Sequence, residues 1–306
     1  MYRDLLVGST GFVGGNLRAK HTFAAVCHSS DIAAQYGTQP DLCVYAGVPA
    51  AMFLANADPE ADMEVMRTAR ENLRKIAPKS LVLISSIAVF ADSRGRCEGD
   101  APDTDGLPAY GRNRLQLEQW VREDFNDALI VRLPALYGAG LKKNFLFDLH
   151  TITPAMLKPE KYNASKSLLV KTGYTLADNG FYKLNGTADK TALKEFFAGN
   201  DFNALAFTDS RSRYQFYNLG RLWQDIETAR AAGLTMLHLC TPPISAAEVY
   251  TAVTGKADWT NELPKSPFDY DLRSRYAAVL GGSGDYLCTK EEELDDVTNF
   301  LREWRD

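Results

Sequence analysis

The chain has 306 residues, of which 45% are hydrophobic and 24% charged, and its formal net charge is −5 at pH 7. These values are typical of a soluble globular protein whose length allows one large α/β domain and a smaller lobe. Because no block of Lys or Arg accompanies the negative charge, nucleic acid and anionic membranes are not expected as partners. No apolar run is long enough to span a bilayer and the N-terminus lacks a signal-peptide pattern, so we expect a cytoplasmic protein.

Neither the histidines nor the cysteines have the spacing of a metal site. The four histidines are isolated from one another. The cysteines are scattered without Cys-x-x-Cys spacing, at Cys27, Cys43, Cys97, Cys240 and Cys288. We therefore expect free buried thiols in a reducing compartment, and no bound metal.

The N-terminal stretch combines an apolar strand, Leu5-Leu6-Val7, with a Gly-x-x-Gly-x-x-Gly turn and the start of a helix. Gly8 permits a tight turn, Gly11 lets the backbone approach a ligand closely, and Gly14 allows the helix to pack on the strand. The unpaired N–H groups and positive dipole end of a helix suit a pyrophosphate. The pattern therefore predicts a dinucleotide-binding turn, and the alternative is a turn with a structural role alone.

Strands and helices alternate from this turn to about residue 133, with a loop at residues 92–108. We predict strands at residues 23–27, 42–47, 80–84 and 128–133, and helices at residues 15–20, 31–36, 59–76 and 109–124. Asp31 is predicted to cap the helix at residues 31–36. The alternation predicts an α/β fold with a doubly wound parallel sheet of the Rossmann type.

The alternation weakens after residue 140. We predict a dinucleotide-binding domain over residues 1–140, to which later segments around residues 205–240 return, and a smaller lobe that takes up most of residues 141–306. Within this second part we predict a strand at residues 235–239 and helices at residues 191–198, 219–231, 245–254 and 290–305. Ser245 and Glu248 have the spacing of a capping box.

Three further segments carry side chains suited to chemistry. Ser85 and Ser86 follow the strand at residues 80–84, at the end where open parallel sheets bind ligands. Tyr110 opens the next helix, and Arg114 lies four residues later on the same helix face. A third segment, residues 132–138, runs off the end of the following strand.

With these motifs the chain resembles the extended short-chain dehydrogenase/reductase family, which contains nucleotide-sugar epimerases, dehydratases and reductases. Besides the glycine turn, the family's Ser-Ser-x-x-Val-Tyr-Gly, Tyr-x-x-x-Lys and Arg-x-x-x-x-Tyr-Gly are similar to residues 85–91, 110–114 and 132–138. The departures are Phe90, Ala91 and Arg114. The resemblance covers residues 4–140 well and continues more weakly through residues 212–217.

This resemblance implies that Tyr110 exchanges a proton with the substrate oxygen while a nicotinamide exchanges hydride. A phenol in water has a pKa of about 10, so it needs a nearby cation to act near neutral pH. Arg114 keeps the charge of the family's lysine, although a guanidinium is wide and planar and cannot relay a proton. Ser86 would hydrogen-bond the same substrate oxygen. The alternatives are a packing role for Tyr110 and a backbone hydrogen bond for Ser86.

The resemblance also implies a cofactor site at the glycine turn and the ends of the strands. Its predicted members are Gly8, Thr10, Gly11, Phe12, Val13, Gly14, His28, Ser29, Ser30, Ala46, Gly47, Ser85, Leu133 and Pro134. NAD sites usually place Asp or Glu after the second strand, where this chain has His28-Ser29-Ser30 and an Asp31 better explained as a helix cap. We therefore prefer NADP(H) over NAD(H), although no arginine is present there to bind a 2′-phosphate.

Basic and polar residues stand where the family's substrate lobe begins. These are Lys142, Lys143 and Asn144, and Arg213 lies on the strand that family members use against the substrate's diphosphate. Converging basic groups would suit a nucleoside diphosphate. The alternative is a solvated basic pair and a surface arginine.

Dehydration is not expected, because family dehydratases carry an Asp-Glu pair where this chain has Ile87-Ala88. We expect reduction or epimerisation of a nucleotide-activated or related sugar, with reduction favoured. The alternative is a non-catalytic NAD(P)-binding regulatory or scaffold protein, because of the departures at Phe90, Ala91 and Arg114. The resemblance further implies a homodimer formed through the helices at residues 59–77 and 109–124.

Overall fold

A computed structural model describes residues 3–304 of the chain. Its strands are β1 (Asp4–Val7), β2 (Ala25–Cys27), β3 (Leu42–Tyr45), β4 (Leu81–Ser86), β5 (Ala128–Leu133), β6 (Ala135–Tyr137), β7 (Met156–Leu157), β8 (Tyr174–Leu176), β9 (Tyr182–Leu184), β10 (Arg213–Tyr214), β11 (Phe216–Asn218), β12 (Met236–His238) and β13 (Ile244–Ser245). Its helices are α1 (Phe12–Lys20), α2 (Met52–Ala57), α3 (Pro59–Ile76), α4 (Ala109–Asp124), α5 (Phe145–Thr151), α6 (Pro159–Ala164), α7 (Leu168–Gly173), α8 (Lys190–Ala198), α9 (Leu222–Ala231), α10 (Ala246–Thr254) and α11 (Lys290–Glu303).

The described residues divide into two compact units. The first takes in the chain up to Leu141 together with Tyr214–Ile244 and Asp269–Val297. The second takes in Lys142–Arg213, Ser245–Phe268 and the segment from Thr298 onward.

The first unit is built on six parallel strands in the order β12-β5-β4-β3-β1-β2. From β1 the chain proceeds to one edge through β2, then crosses back and proceeds to the other edge through β3, β4, β5 and β12. The order therefore reverses between β1 and β3, which makes the carboxyl end of this pair the point where such sheets bind ligands. The predicted doubly wound Rossmann-type sheet is confirmed.

Alternate residues of each strand enter two separate cores, because successive side chains of a strand point to opposite faces. Leu5 and Val7 join a cluster with the apolar side of α3 and α4, whereas Leu6 joins a cluster with α1 and α9. Helices thus cover both faces of the sheet. This explains why the central strands read as continuous apolar runs.

The element α3 begins where its sequence provides a cap. The Asp58 side chain accepts a hydrogen bond from the Ala61 N–H, and Pro59 occupies the first helical position. The predicted helices at 59–76 and 109–124 and the strand at 128–133 are confirmed residue for residue. The capping box of Ser245 and Glu248 is also confirmed.

The small helix predicted at residues 31–36 is present as a short 3-10 helix over Ile32–Gln35. The predicted cap is wrong, because the Asp31 side chain makes no capping hydrogen bond to this helix. Instead, Asp31 Oδ1 accepts from the His28 N–H at 2.8 Å. The Asp31 carboxylate therefore stabilises the turn that directly follows β2.

The second unit contains a three-stranded antiparallel sheet in the order β7-β9-β8. Its core consists of Leu157, Val170, Tyr174, Leu193 and Phe197. Sequence patterns predicted α8 closely but missed α5, α6 and α7, since helices of six or seven residues show barely two turns of periodicity.

The cysteines in the described chain are free thiols, as predicted, but only Cys27, Cys43 and Cys240 are buried, whereas Cys97 and Cys288 are half-buried. Burial raises the pKa of the Cys27 thiol to about 11, so it stays protonated and unreactive near neutral pH. Among the described residues, the helices are all too short or too polar to cross a membrane.

Glu293 makes stability depend on pH. It is 2% exposed, and its carboxyl accepts from the Phe216 N–H at 2.7 Å and the Thr241 hydroxyl at 2.9 Å. Burial raises its pKa from 4.5 to about 8. Between these values the folded state holds a proton that the unfolded chain has lost, so the stability contribution of Glu293 is full below about pH 4.5 and falls as pH rises to 8.

We therefore expect Glu293→Gln, which matches the protonated acid in shape, to remove this part of the pH dependence. Relative to wild type, the variant should gain more than about 1 kcal/mol of unfolding free energy between pH 5 and pH 8. Urea unfolding at a series of pH values measures the difference. Parallel wild-type and variant curves over this range would contradict the prediction.

Candidate active site

A cavity of about 160 Å³ lies in the first unit at the carboxyl ends of the sheet strands. It sits beside the reversal of strand order, and α1 and α4 both contribute to its wall. Predicted site residues that line it are Val13, Ala46, Ser85, Ser86, Tyr110, Arg114, Leu133 and Pro134. The fold thus brings together residues that are distant in sequence.

Two close backbone contacts form the glycine turn. Gly8 has a φ of 86°, and a Cβ there would lie 2.4 Å from the Ala46 carbonyl oxygen. A Cβ on Gly14 would lie 2.2 Å from the Gly8 carbonyl oxygen. Only glycine fits at these positions, so the turn packs directly on the end of β3 and on the first turn of α1.

The end of the turn leaves the start of α1 open. Gly11, the residue before the helix, provides no side-chain cap, and Thr10 and Gly11 are exposed. Phe12 and Val13, in the first turn, are half-buried. The first N–H groups of α1 are therefore available to an anion, and the site fits the pyrophosphate of a dinucleotide.

The residues after β2 form a polar loop. The Ser30 hydroxyl lies 2.6 Å from His28 Nδ1, and Asp31 Oδ2 lies 3.4 Å from His28 Nε2. Ser29 and Ser30 are exposed. The Asp31 carboxylate therefore contacts His28 and does not cap the helix that follows. The loop combines one acidic group with the serine hydroxyl groups.

Ser86 and Tyr110 come from two elements that meet through Gly111. Ser86 Oγ accepts from the Ala88 N–H at 3.2 Å, which starts a short turn after β4. A Cβ on Gly111 would lie 1.9 Å from the Ala88 carbonyl oxygen, so only glycine lets α4 begin against this turn. Sequence reasoning gave Gly111 no role, although it stands directly after Tyr110.

Tyr110 is held at its backbone and its ring. Its N–H donates to Asn56 Oδ1 at 2.9 Å, and its carbonyl accepts from Arg114 Nη1 at 3.0 Å. The Arg114 Cζ lies 3.6 Å from the centroid of the Tyr110 ring. Such stacking of a guanidinium on an aromatic face is favourable and restricts the ring.

Arg114 is an internal group. Its side chain is 5% exposed and forms an ion pair with Asp62, with Nη1 2.8 Å from Oδ2 and Nη2 3.2 Å from Oδ1. Nη2 also donates to the Pro49 carbonyl at 2.6 Å. The sequence predicted the charge at this position but gave no sign of Asp62, whose charge balances it.

A second buried network lies below the ends of β4, β5 and β12. Ser85 Oγ donates to Glu118 Oε1 at 2.6 Å, and the Arg132 guanidinium donates to both oxygens of Glu118. Arg132 Nη1 lies 3.2 Å from His238 Nε2. Burial lowers the pKa of His238 to about 4, so the ring is neutral, accepts at Nε2 and donates from Nδ1 to the Arg273 carbonyl.

The predicted substrate residues belong to the second unit. Lys142, Lys143 and Arg213 are exposed, and the Asn144 side chain accepts from two N–H groups at the start of α5. The side-chain oxygen of Asn144 is thus used to cap a helix. For the basic residues, a role in binding diphosphate stays a prediction.

Comparisons with known proteins find a family match over part of the chain and solved structures with a similar fold. Residues 4–155 match a family model described as the RmlD substrate binding domain, and no curated protein matches the chain. A dTDP-4-dehydrorhamnose reductase from Yersinia enterocolitica has 14% identity and a TM-score of 0.63 over 99% of both chains. The reductase of that name from Bacillus anthracis, in complex with NADP, has 16% identity and a TM-score of 0.62 over 99% of both chains.

A UDP-glucose 4-epimerase from Thermotoga maritima, solved with UDP-glucose, is also similar. It has 12% identity and a TM-score of 0.58, over 98% of this chain and 99% of the epimerase. Because the sequence identities are this low, these similarities show a shared fold alone.

Two adjacent glycines of α1 test the close contact in the turn. A Cβ on Gly14 would meet the Gly8 backbone, whereas nothing lies within 4 Å of a Cβ on Gly15. We expect Gly14→Ala to destabilise the protein by about 1–3 kcal/mol and the control Gly15→Ala to stabilise it by about 0.5–1 kcal/mol. Urea unfolding of both variants measures the contrast, and shifts of the same sign would contradict it.

Proposed function

We propose, because the chain belongs to the extended short-chain dehydrogenase/reductase family, that it is an NAD(P)-dependent oxidoreductase or epimerase of nucleotide-activated sugars. Reduction of a keto sugar is the favoured reaction. The observation that carries this proposal is that Ser86 and Tyr110 line one cavity, which lies beside the point where the strand order reverses.

The residues present fit a dinucleotide. The glycine turn, where Gly8 and Gly14 leave no room for a side chain, would hold the pyrophosphate together with the uncapped start of α1. The ends of β3, β4 and β5 supply other parts of the pocket through Ala46, Ser85, Leu133 and Pro134. When bound, the nicotinamide supplies or removes hydride.

Two hydroxyl groups act on the substrate oxygen. Since Ser86 Oγ accepts from the Ala88 N–H, its own proton is free to be donated to a carbonyl oxygen and to orient it. Tyr110 gives its phenolic proton to that oxygen as negative charge develops there, and takes it back in the reverse direction. The Arg114 guanidinium against the ring fixes the orientation of the phenol.

Reduction is favoured over dehydration because of the acidic residues that the site contains and lacks. Dehydration needs a carboxyl pair after the serine, and the turn after Ser86 carries Ile87 and Ala88 in its place. Glu118, at the same end of the sheet, is held by Ser85 and Arg132. The similar reductases act, by their names, on a nucleotide 4-keto sugar, which supports that class as substrate.

A second candidate function is non-catalytic binding of NAD(P). The observation that favours it is that Arg114, which replaces the family's lysine, is paired with Asp62. A binder would hold NADPH without oxidising it in the presence of any nucleotide keto sugar, so turnover separates the two functions.

A homodimer through α3 and α4 stays a prediction. The two helices pack on each other, and Arg70 of α3 donates two hydrogen bonds to Asp124 of α4. The outer side of α3 carries a pair between Arg67 and Glu60. A partner helix would therefore have to match charged groups as well as apolar ones.

Substituting Phe for Tyr110 tests the chemistry. The variant keeps the ring that stacks on Arg114 but loses the phenolic proton, so we expect kcat to fall by about 100-fold or more. NADPH affinity should change by less than about twofold, because binding relies on the glycine turn. Oxidation of NADPH in the presence of nucleotide 4-keto sugars measures the first, and fluorescence titration the second; an unchanged kcat would contradict the mechanism.

Cofactor choice is tested at the loop after β2. We propose that NADP(H) is preferred, because the exposed Ser29 hydroxyl can donate a hydrogen bond to a 2′-phosphate and Asp31 is already engaged by His28. We expect NADPH to bind more tightly than NADH in isothermal titration. A dissociation constant for NADH about tenfold lower than for NADPH would reverse the assignment.

A further inference from the structure

We propose that Asp62 is a positioning residue of this site, and that it determines why position 114 carries arginine. This inference rests on the proposed function, because it concerns the alignment of Tyr110. Asp62 lies in the first turns of α3, and its carboxylate is 10% exposed. Its Oδ2 accepts from Arg114 Nη1 and from Asn113 Nδ2, and its Oδ1 accepts from Arg114 Nη2.

The donors of Arg114 match four acceptors around it. Nη1 donates to Asp62 and to the Tyr110 carbonyl, and Nη2 donates to Asp62 and to the Pro49 carbonyl. The N–H groups of a guanidinium lie in a fixed plane and point in separate directions, so one side chain satisfies all four. A lysine has three donors on one nitrogen and cannot span them. Either Asp62 or a carbonyl would then lose its partner in a poorly hydrated place.

The Asp62 carboxylate also fixes where the guanidinium lies relative to the ring. Asp62 accepts from Nη1 and Nη2 of the same guanidinium whose Cζ lies 3.6 Å from the Tyr110 ring centroid. With Asn56 on the Tyr110 N–H and Arg114 on its carbonyl, the start of α4 is held from both sides. Loss of the Asp62 charge leaves a buried cation without its counter-ion, which favours movement of Arg114 away from the ring.

The proposal predicts that a family-type lysine is harmful while Asp62 is present. In Arg114→Lys the ammonium is drawn to the Asp62 carboxylate and the ring loses its support. We expect kcat to fall by about tenfold or more, with KM and the dissociation constant for NADPH within about twofold of wild type. Asp62→Asn, which keeps the shape and removes the charge, should give the same split.

The double variant carries the decisive contrast. In Asp62→Asn with Arg114→Lys, the ammonium is no longer held by a carboxylate and can turn towards the cavity. We expect its kcat to exceed that of Arg114→Lys alone, so that the two substitutions are coupled. The matched control is Glu64→Gln, which removes an exposed carboxylate of the same helix that pairs with Arg67. This control should leave every readout unchanged.

A readout independent of turnover separates this proposal from the proposed function. In protein labelled with fluorotyrosine, the fluorine resonance of Tyr110 is assigned by its absence in Tyr110→Phe. We expect Asp62→Asn and Arg114→Lys to shift this resonance and Glu64→Gln to leave it in place. Wild-type protein that turns over no nucleotide keto sugar would overturn the proposed function alone.

Three results would overturn the role of Asp62. The first is a Tyr110 resonance that stays in place in Asp62→Asn. The second is an Arg114→Lys variant at least as active as wild type with Asp62 intact, since lysine would then serve the site equally well. The third is a double variant whose kcat does not exceed that of Arg114→Lys alone. Urea unfolding of each variant verifies that the proteins compared are folded.

Discussion

The structure of the candidate site depends on three places where backbone meets backbone too closely for any side chain. Gly8 lies against Ala46, Gly14 against Gly8, and Gly111 against Ala88. The first two contacts seat α1 on the end of the sheet, and the third seats α4 there. Each contact is between an atom of a turn and an atom of a neighbouring element, so the distances are set by steric limits. The positions at which α1 and α4 begin are therefore fixed by backbone contacts and do not depend on side-chain conformations.

Charges around this frame are balanced in pairs. Arg114 is paired with Asp62 and Arg132 with Glu118, and in both pairs the arginine side chain is at least 95% buried. Buried ion pairs add little net stability, because desolvation offsets most of their attraction, but removing one partner is costly. Their effect here is to fix orientation. Arg132 holds Glu118, which holds Ser85 at the end of β4, while Arg114 holds the ring of Tyr110.

Sequence patterns predicted the sheet, its long helices and the glycine turn, because apolar periodicity and glycine spacing are local signals. They did not predict Asp62 as the partner of Arg114, since the two residues are 52 positions apart and Asp62 reads as part of a charged helix face. Glu118 likewise reads as a surface residue on α4, yet it is fully buried against Arg132. The short α2, which supplies Asn56 to Tyr110, has too few residues for a detectable pattern. The features that the sequence did not predict are contacts between side chains of different helices and strands.

Pairing of the cations has a consequence for the proposed chemistry. The four Nη donor bonds of Arg114 go to Asp62 and two carbonyls, so its charge acts on Tyr110 together with the opposite charge of Asp62. In the proposed reaction, polarisation of a substrate carbonyl would then come from the hydroxyl groups of Ser86 and Tyr110. Hydrogen bonds of this kind are effective only over a narrow range of distance and angle. Such a site depends on the rigid placement of its hydroxyl groups more than on its net charge. The contacts that hold the backbone and the ring of Tyr110 provide this rigidity.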